Sequence, residues 1–333
     1  MQNPELLKKP GLTLADRIDR IKSKNSFSLL FPFIVLVFIV LLFGVLTKME
    51  FYKTSVIISI FNQSLIVGTI AVGVSFIYST GDIDFSVGNV MGLAATIGAL
   101  SYQFTNNMVV LIMVTIAVGT LLMLFNCTLS LIFNVKSAMV AIIAMILYGA
   151  ITTELVGVDT LKVDYNLCRS LESDGFRYVS FILYFVIAVV IFHYTAIGRK
   201  LRFIGGNEEC AKQSGISFRK SKYIGFLIAG IGVGLAGVFQ IARSGSVTSS
   251  VGSGMGMDVM LATVLGGMSI FGGAKSNAYS GFLGALTVSA LNKGLLMVGI
   301  SASIIQGVRG LIFLLLVFLN SERPSTLPSR QQF

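Results

Sequence analysis

Residues 66–93, IVGTIAVGVSFIYSTGDIDFSVGNVMGL, and residues 230–257, GIGVGLAGVFQIARSGSVTSSVGSGMGM, decide the fold when read against each other. Displaced by 164 positions they align without a gap, and ten of 28 positions are identical: Gly68, Gly73, Val74, Ile77, Gly81, Ser86, Val87, Gly88, Met91 and Gly92. Gly, Ser and Val inflate chance matches. The ungapped register and the shared order of apolar run, Gly loop and apolar run nevertheless favour duplication.

Outside the repeat the chain is equally apolar. Of 333 residues 54% are hydrophobic and 12% charged, and the mean hydropathy is +0.85, which excludes an ordinary soluble enzyme. Apolar runs occupy 27–47, 55–79, 85–104, 108–132, 138–155, 178–196, 223–242, 258–272, 278–300 and 303–320. A span needs about 20 apolar residues, so we expect an all-α polytopic membrane protein with about ten transmembrane helices. The organisation expected is a cytoplasmic segment 1–26, one membrane domain 27–320 with a cytoplasmic loop 197–222, and a tail 321–333. The eighth run is short and broken by Gly266, Gly267, Gly272 and Gly273, which leaves room for a re-entrant segment.

With the amino terminus inside, the inner segments hold 17 Lys and Arg against six in the outer ones. That bias places both termini in the cytoplasm and reads the excess of cations as orientation; nucleic acid is not an expected partner. The second run then points inward and the seventh outward, making the duplication an inverted repeat, the plan of carriers that alternate access about a pseudo-twofold axis.

Within the inner loop, residues 205–216 (GGNEECAKQSGI) read as a short capped helix. Asn207 suits the N-cap, Glu208 and Glu209 the positive helix end, and Gly215 the left-handed position that closes the helix. Cys210 and Ala211 are small enough for a partner to approach. These residues fit either a solvated connector or a docking helix.

Asp82 and Asp84 are the acids of the first Gly loop; Ser246 and Thr248 replace them in the second. Asp84 can cap the third helix with Asp82 solvated, or both, with Ser86 and Gly88, can belong to a pathway or gate. Asp258, Asn292, Lys293 and Arg309 are the corresponding candidates towards the outer ends of the last three helices. With Glu154 they form either ion pairs or a polar lining. No catalytic constellation, cofactor motif or metal-ligand set is expected. GGMSIFGGAKS lacks the P-loop glycines, since Ala274 and Ser269 stand where they are needed. His193, alone in an apolar run, reads as packing.

Four motifs in one order, GDIDFSVG (81–88), GGNEECAKQSGI (205–216), MDVMLATVLGGMSIFGGAKS (257–276) and ALNKGLLMVGI (290–300), resemble the permease subunits of ABC importers for ribose and related monosaccharides. The resemblance covers nearly the whole chain. It implies a multi-pass protein of the bacterial cytoplasmic (inner) membrane, paired with a second permease copy as a homodimer. Its implied partners are an ATPase subunit that hydrolyses ATP, an extracytoplasmic solute-binding protein and a monosaccharide-like substrate. It further implies that Gly205, Gly206, Asn207, Glu208, Glu209, Ala211, Ser214, Gly215 and Ile216 dock on the ATPase. The chain departs from the family where relatives carry Pro and a TLG-type turn. Here Lys136, Ser137 and Ala138 open the fifth helix, so ribose itself does not follow. The alternative is a secondary carrier driven by an ion gradient, with Asp82 and Asp84 in the ion site.

Overall fold

The computed structural model describes residues 25–171, 174–269 and 271–320. The basic segment to residue 24, the tail from 321 and Ile270 lie outside the described residues. Helices run α1 Asn25–Leu46, α2 Thr54–Tyr78, α3 Val87–Thr105, α4 Met108–Ile132, α5 Ser137–Val156, α6 Tyr165–Leu171, α7 Asp174–Tyr194, α8 Ala196–Gly206, α9 Glu208–Gln213, α10 Phe218–Ser244, α11 Met255–Leu265, α12 Ser280–Met297 and α13 Ala302–Asn320.

Each of the ten apolar runs carries a helix, because a chain in hydrocarbon must satisfy its amides internally. Among the described residues, α2, α4, α5, α7 and α10 are long and apolar enough to cross a bilayer. At 11 residues, α11 rises only about 16 Å, roughly half a hydrocarbon core. The protein is an all-α multi-pass membrane protein. Among the described residues the one sheet is a pair of two-residue strands, β1 Leu161–Lys162 antiparallel to β2 Ser246–Val247. That pairing was not legible in the sequence, and it ties the segment after α5 to the one after α10.

The helices α2 and α10, which carry the starts of the two similar segments, form the centre. Along α2 every residue from Ser64 to Tyr78 is buried, and α10 is buried through most of its length; helices apolar all round belong inside a bundle. Gly230 and Gly234 let α10 meet α4 backbone to backbone. A Cβ on Gly230 would lie 2.6 Å from Thr120 Cα, and one on Gly234 would lie 2.5 Å from Ile116 Cα. This is the small-residue spacing that brings helices together in lipid, where burial of apolar surface offers no drive of its own. The outward faces are apolar instead of charged: Ile142, Ile143 and Ile146 on α5, Ile182 and Leu183 on α7, and Leu311 and Leu314 on α13 are exposed. Such faces suit hydrocarbon and would be a liability in water.

Packing follows a paired pattern. α3 packs on α4 and α5, and α11 on α12 and α13; α2 meets α12, while α10 meets α4; α2 also meets α11, while α10 meets α3.

Candidate functional site

The polar residues gather in two clusters, one of them at an end of α10, which runs Phe218–Ser244. At its amino-terminal end lies the first Gly loop. Gly81 adopts φ +82°, which a side-chain-bearing residue resists, and its amide donates to Tyr78 O at 3.0 Å. The chain thereby reverses out of α2. Asp84 is wholly buried. Its Oδ1 accepts from the Ser86 amide at 2.7 Å and the Ser86 hydroxyl at 2.6 Å. Asn126 of α4 donates to Ser86 Oγ at 2.9 Å, and Tyr148 of α5 donates to Asn126 Oδ1 at 2.8 Å. The expected cap is therefore corrected. Ser86 holds the N-cap position of α3, and Asp84 folds the loop before it in an Asx turn that anchors a buried chain across three helices.

Asp82 is not solvated either. Its Oδ2 lies 2.8 Å from Lys222 Nζ, with side chains 14% and 4% exposed, and Lys222 also donates to Ser130 Oγ at 2.9 Å. The sequence reading had assigned Lys222 to the basic loop. In the structure α10 begins at Phe218, so Lys222 belongs to the helix and points into protein. Lys222, Asn126, Ser130 and Tyr148 were all missed. The only signal for the last three was a polar residue inside an apolar run, which often means nothing.

In the second cluster, carried by α11, α12 and α13, the four expected charges resolve into one pair. Arg309 Nη1 lies 3.0 Å from Asp258 Oδ1, and Arg309 Nε donates to Asn292 Oδ1 at 2.9 Å. Asn292 in turn faces both Asp258 oxygens at 3.4 Å. Lys293 is half-buried and Glu154 exposed; among the described residues neither joins this cluster. His193 stacks on Tyr279 with centroids 5.4 Å apart, as packing requires.

Between the two clusters the similar segments 66–93 and 230–257 touch at aligned residues. A Cβ on Gly88 would sit 2.8 Å from the Gly256 amide, and one on Gly252 would sit 2.8 Å from the Gly88 carbonyl carbon. Gly88 and Gly252 are 164 positions apart, the displacement that aligns the two segments.

The segment 205–216 closes the description. Asn207 caps α9, its Oδ1 accepting from the Cys210 amide at 3.0 Å. At the other end Gly215, at φ +74°, donates to Lys212 O and Ile216 donates to Ala211 O, both at 3.0 Å. That is a Schellman closure. Glu208, Glu209 and Ser214 are exposed, as are Cys210 and Gly206, whereas Ile216 is half-buried. Ala211 is buried, so it holds α9 to the bundle and does not face a partner. Hydrogen bonds to Glu209 and Glu208 push the exposed Lys212 ammonium above its ordinary range. An open cleft of about 520 Å³ beside α9 is lined by Arg199, Arg202, Phe203 and Cys210. On the inner side Gly205 leaves no room for a side chain, since a Cβ would lie 2.6 Å from the Gly273 amide; that amide donates to Ser79 O at 3.0 Å.

Comparison with known proteins places this geometry. The chain is 26% identical over 285 residues to the ribose import permease protein RbsC of Escherichia coli (strain K12), covering 82% of this chain and 88% of the relative. It is 29% identical over 307 residues to the ribose import permease protein RbsC of Bacillus subtilis (strain 168), covering 88% and 92%. It is 26% identical over 296 residues to the autoinducer 2 import system permease protein LsrD of Enterobacter sp. (strain 638), covering 85% and 90%. No solved structure matches. The model of the family described as the branched-chain amino acid transport system / permease component matches residues 56–317, and the chain belongs to that family.

Proposed function

We propose that this protein is the membrane-spanning permease of an ABC importer that carries a monosaccharide or related small polar solute into the cell, powered by a separate ATPase docked at α9. The observation that carries the reading is α9 itself. It is a rigid turn of helix capped at both ends, exposed on its acidic side and seated by Ala211 on the bundle. A capped knob at a membrane surface can receive a push without performing chemistry. The names of the relatives support a sugar-like solute, and their class supports an extracytoplasmic binding protein and a second permease copy. The ion-gradient alternative is disfavoured because Lys222 neutralises Asp82, leaving it a poor ligand for a cation.

The paired packing supports two inverted repeats. Exchanging α2, α3, α4 and α5 for α10, α11, α12 and α13 maps the α2–α10 contact onto itself and each of the paired contacts above onto its counterpart. Because Asp82 follows α2 and Lys222 starts α10, the two helices run in opposite directions. In this reading there are ten transmembrane elements, with α11 entering without crossing alone. The ring of α9 and Lys222 faces the cytoplasm, as do both termini. Cysteines placed singly at Lys162 and Lys220 in a background lacking the native three test the orientation. A membrane-impermeant thiol reagent should label the first from outside and the second only from inside, and the reverse pattern overturns it.

Coupling is tested at the caps. A side chain at Gly215 meets open space but a positive φ, so Gly215→Val strains the cap without disturbing the bundle. Glu208→Lys places a cation at the positive end of α9 and removes one partner of Lys212. In vesicles with ATPase and loaded binding protein, both variants should fold normally, and ATP-driven uptake should fall by about tenfold. Uptake at the unmodified rate would reduce α9 to a connector.

A further inference from the structure

The coupling segment grips the first Gly loop from both sides. On one side Gly205, the penultimate residue of α8, packs without a Cβ's clearance against the Gly273 amide that bonds Ser79 O. On the other, α10 starts after α9 and carries Lys222 in its second turn, bonded to Asp82 Oδ2 at 2.8 Å. Ser79 and Asp82 are the shoulders of the same turn. Lys222 reaches further: Ser130 Oγ, which accepts from Lys222 at 2.9 Å, donates to Val135 O at 2.7 Å. One buried ammonium therefore joins α10, the Gly loop, the end of α4 and the turn into α5.

The loop leads onward. Past Asp84 and Ser86 the chain enters α3, where Gly88 touches Gly252 of the second repeat. A displacement of α9 passes through one turn of α10 to Lys222, because a helix is stiff over that length and each further joint is a short polar bond or a backbone contact. A lysine left unpaired in such surroundings is expensive. The ion pair therefore holds as a unit or breaks as a unit.

We propose that Lys222 and Asp82 form the link that carries the motion of the ATPase-docked segment into the first Gly loop, making Lys222 a positioning residue for transport. This rests on the permease reading above. Neither residue touches solute in this account, and neither belongs to the surface of α9.

The test uses the full assembly in vesicles: permease, ATPase and loaded binding protein. Lys222→Met alone strands Asp82 and is expected to lower stability, so the decisive variant is Lys222→Met combined with Asp82→Asn, which removes both charges. If the pair transmits motion, the double variant should melt near the unmodified protein and hydrolyse ATP at close to the unmodified rate. Its uptake per ATP should be lower by about tenfold. Asp82→Glu, which keeps the pair, should recover most of the uptake. If the pair serves stability alone, the double variant will regain uptake together with stability, and the proposal fails. If the unmodified assembly takes up solute without ATP, the permease reading itself fails, a result distinct from either.

Discussion

Gly252→Ala is expected to prevent assembly of a stable permease. A Cβ at this position would lie 2.8 Å from the Gly88 carbonyl carbon and closer still to its oxygen, and Gly252 itself sits at φ +82°. Both obstacles are backbone, so no side chain can swing aside. Overpacking costs about 1–3 kcal/mol and a side chain held at positive φ about another 1–3 kcal/mol, a large share of the 5–15 kcal/mol that proteins typically have. Gly245→Ala separates the two contributions, because Gly245 shares the positive φ, at +65°, but has open space around it. Thermal melting of purified protein should show a small loss for Gly245→Ala and a collapse of folded yield for Gly252→Ala. Gly88→Ala should show the steric part alone, since the contact is mutual but Gly88 lies within α3 and has no positive φ. Equal, small losses at all three positions would mean that the repeats do not meet where the backbone places them.

Arg309→Ala is expected to cost about 3–5 kcal/mol, because it leaves Asp258 buried with only the 3.4 Å approaches of Asn292. Asp258→Ala should cost less. Arg309 keeps the 2.9 Å bond to Asn292 Oδ1, and a long guanidinium stem can move its head towards the interface. The double variant should be milder than the sum of the two, since no charge is left without a partner. Melting temperatures of the three variants check this, and additive losses would dissolve the pair. The cluster joins α11, α12 and α13 just as the Ser86–Asn126–Tyr148 chain joins α3, α4 and α5. Under the inverted-repeat proposal these are matching helices with unlike chemistry, so the helix packing, not the polar group, is what the two halves share.

The cap of α9 was legible from its residues because it is local. Asn207, Glu208 and Gly215 lie within one short stretch, and the hydrogen bonds that join them close inside it. The offset of 164 was equally legible. It also pointed to Gly88 and Gly252, although nothing in it said that the two would touch. Asp84 was misjudged for a different reason. An acid before a helix usually caps it, and only the structure shows that Ser86, two residues nearer, holds the N-cap position while Asp84 accepts from the Ser86 amide.

Taken by itself, the sequence determined the membrane class, the apolar runs that carry helices and the capped turn, since hydropathy and capping are written in neighbouring residues. It could not determine which charges pair. Lys222 finds Asp82 across 140 positions and Ser130 across 92, while Asp258 takes Arg309 and leaves Lys293 aside. Those choices were settled by helix packing, because a charge in low dielectric accepts whichever partner the assembled backbone brings within about 3 Å, and chain separation has no influence on that distance.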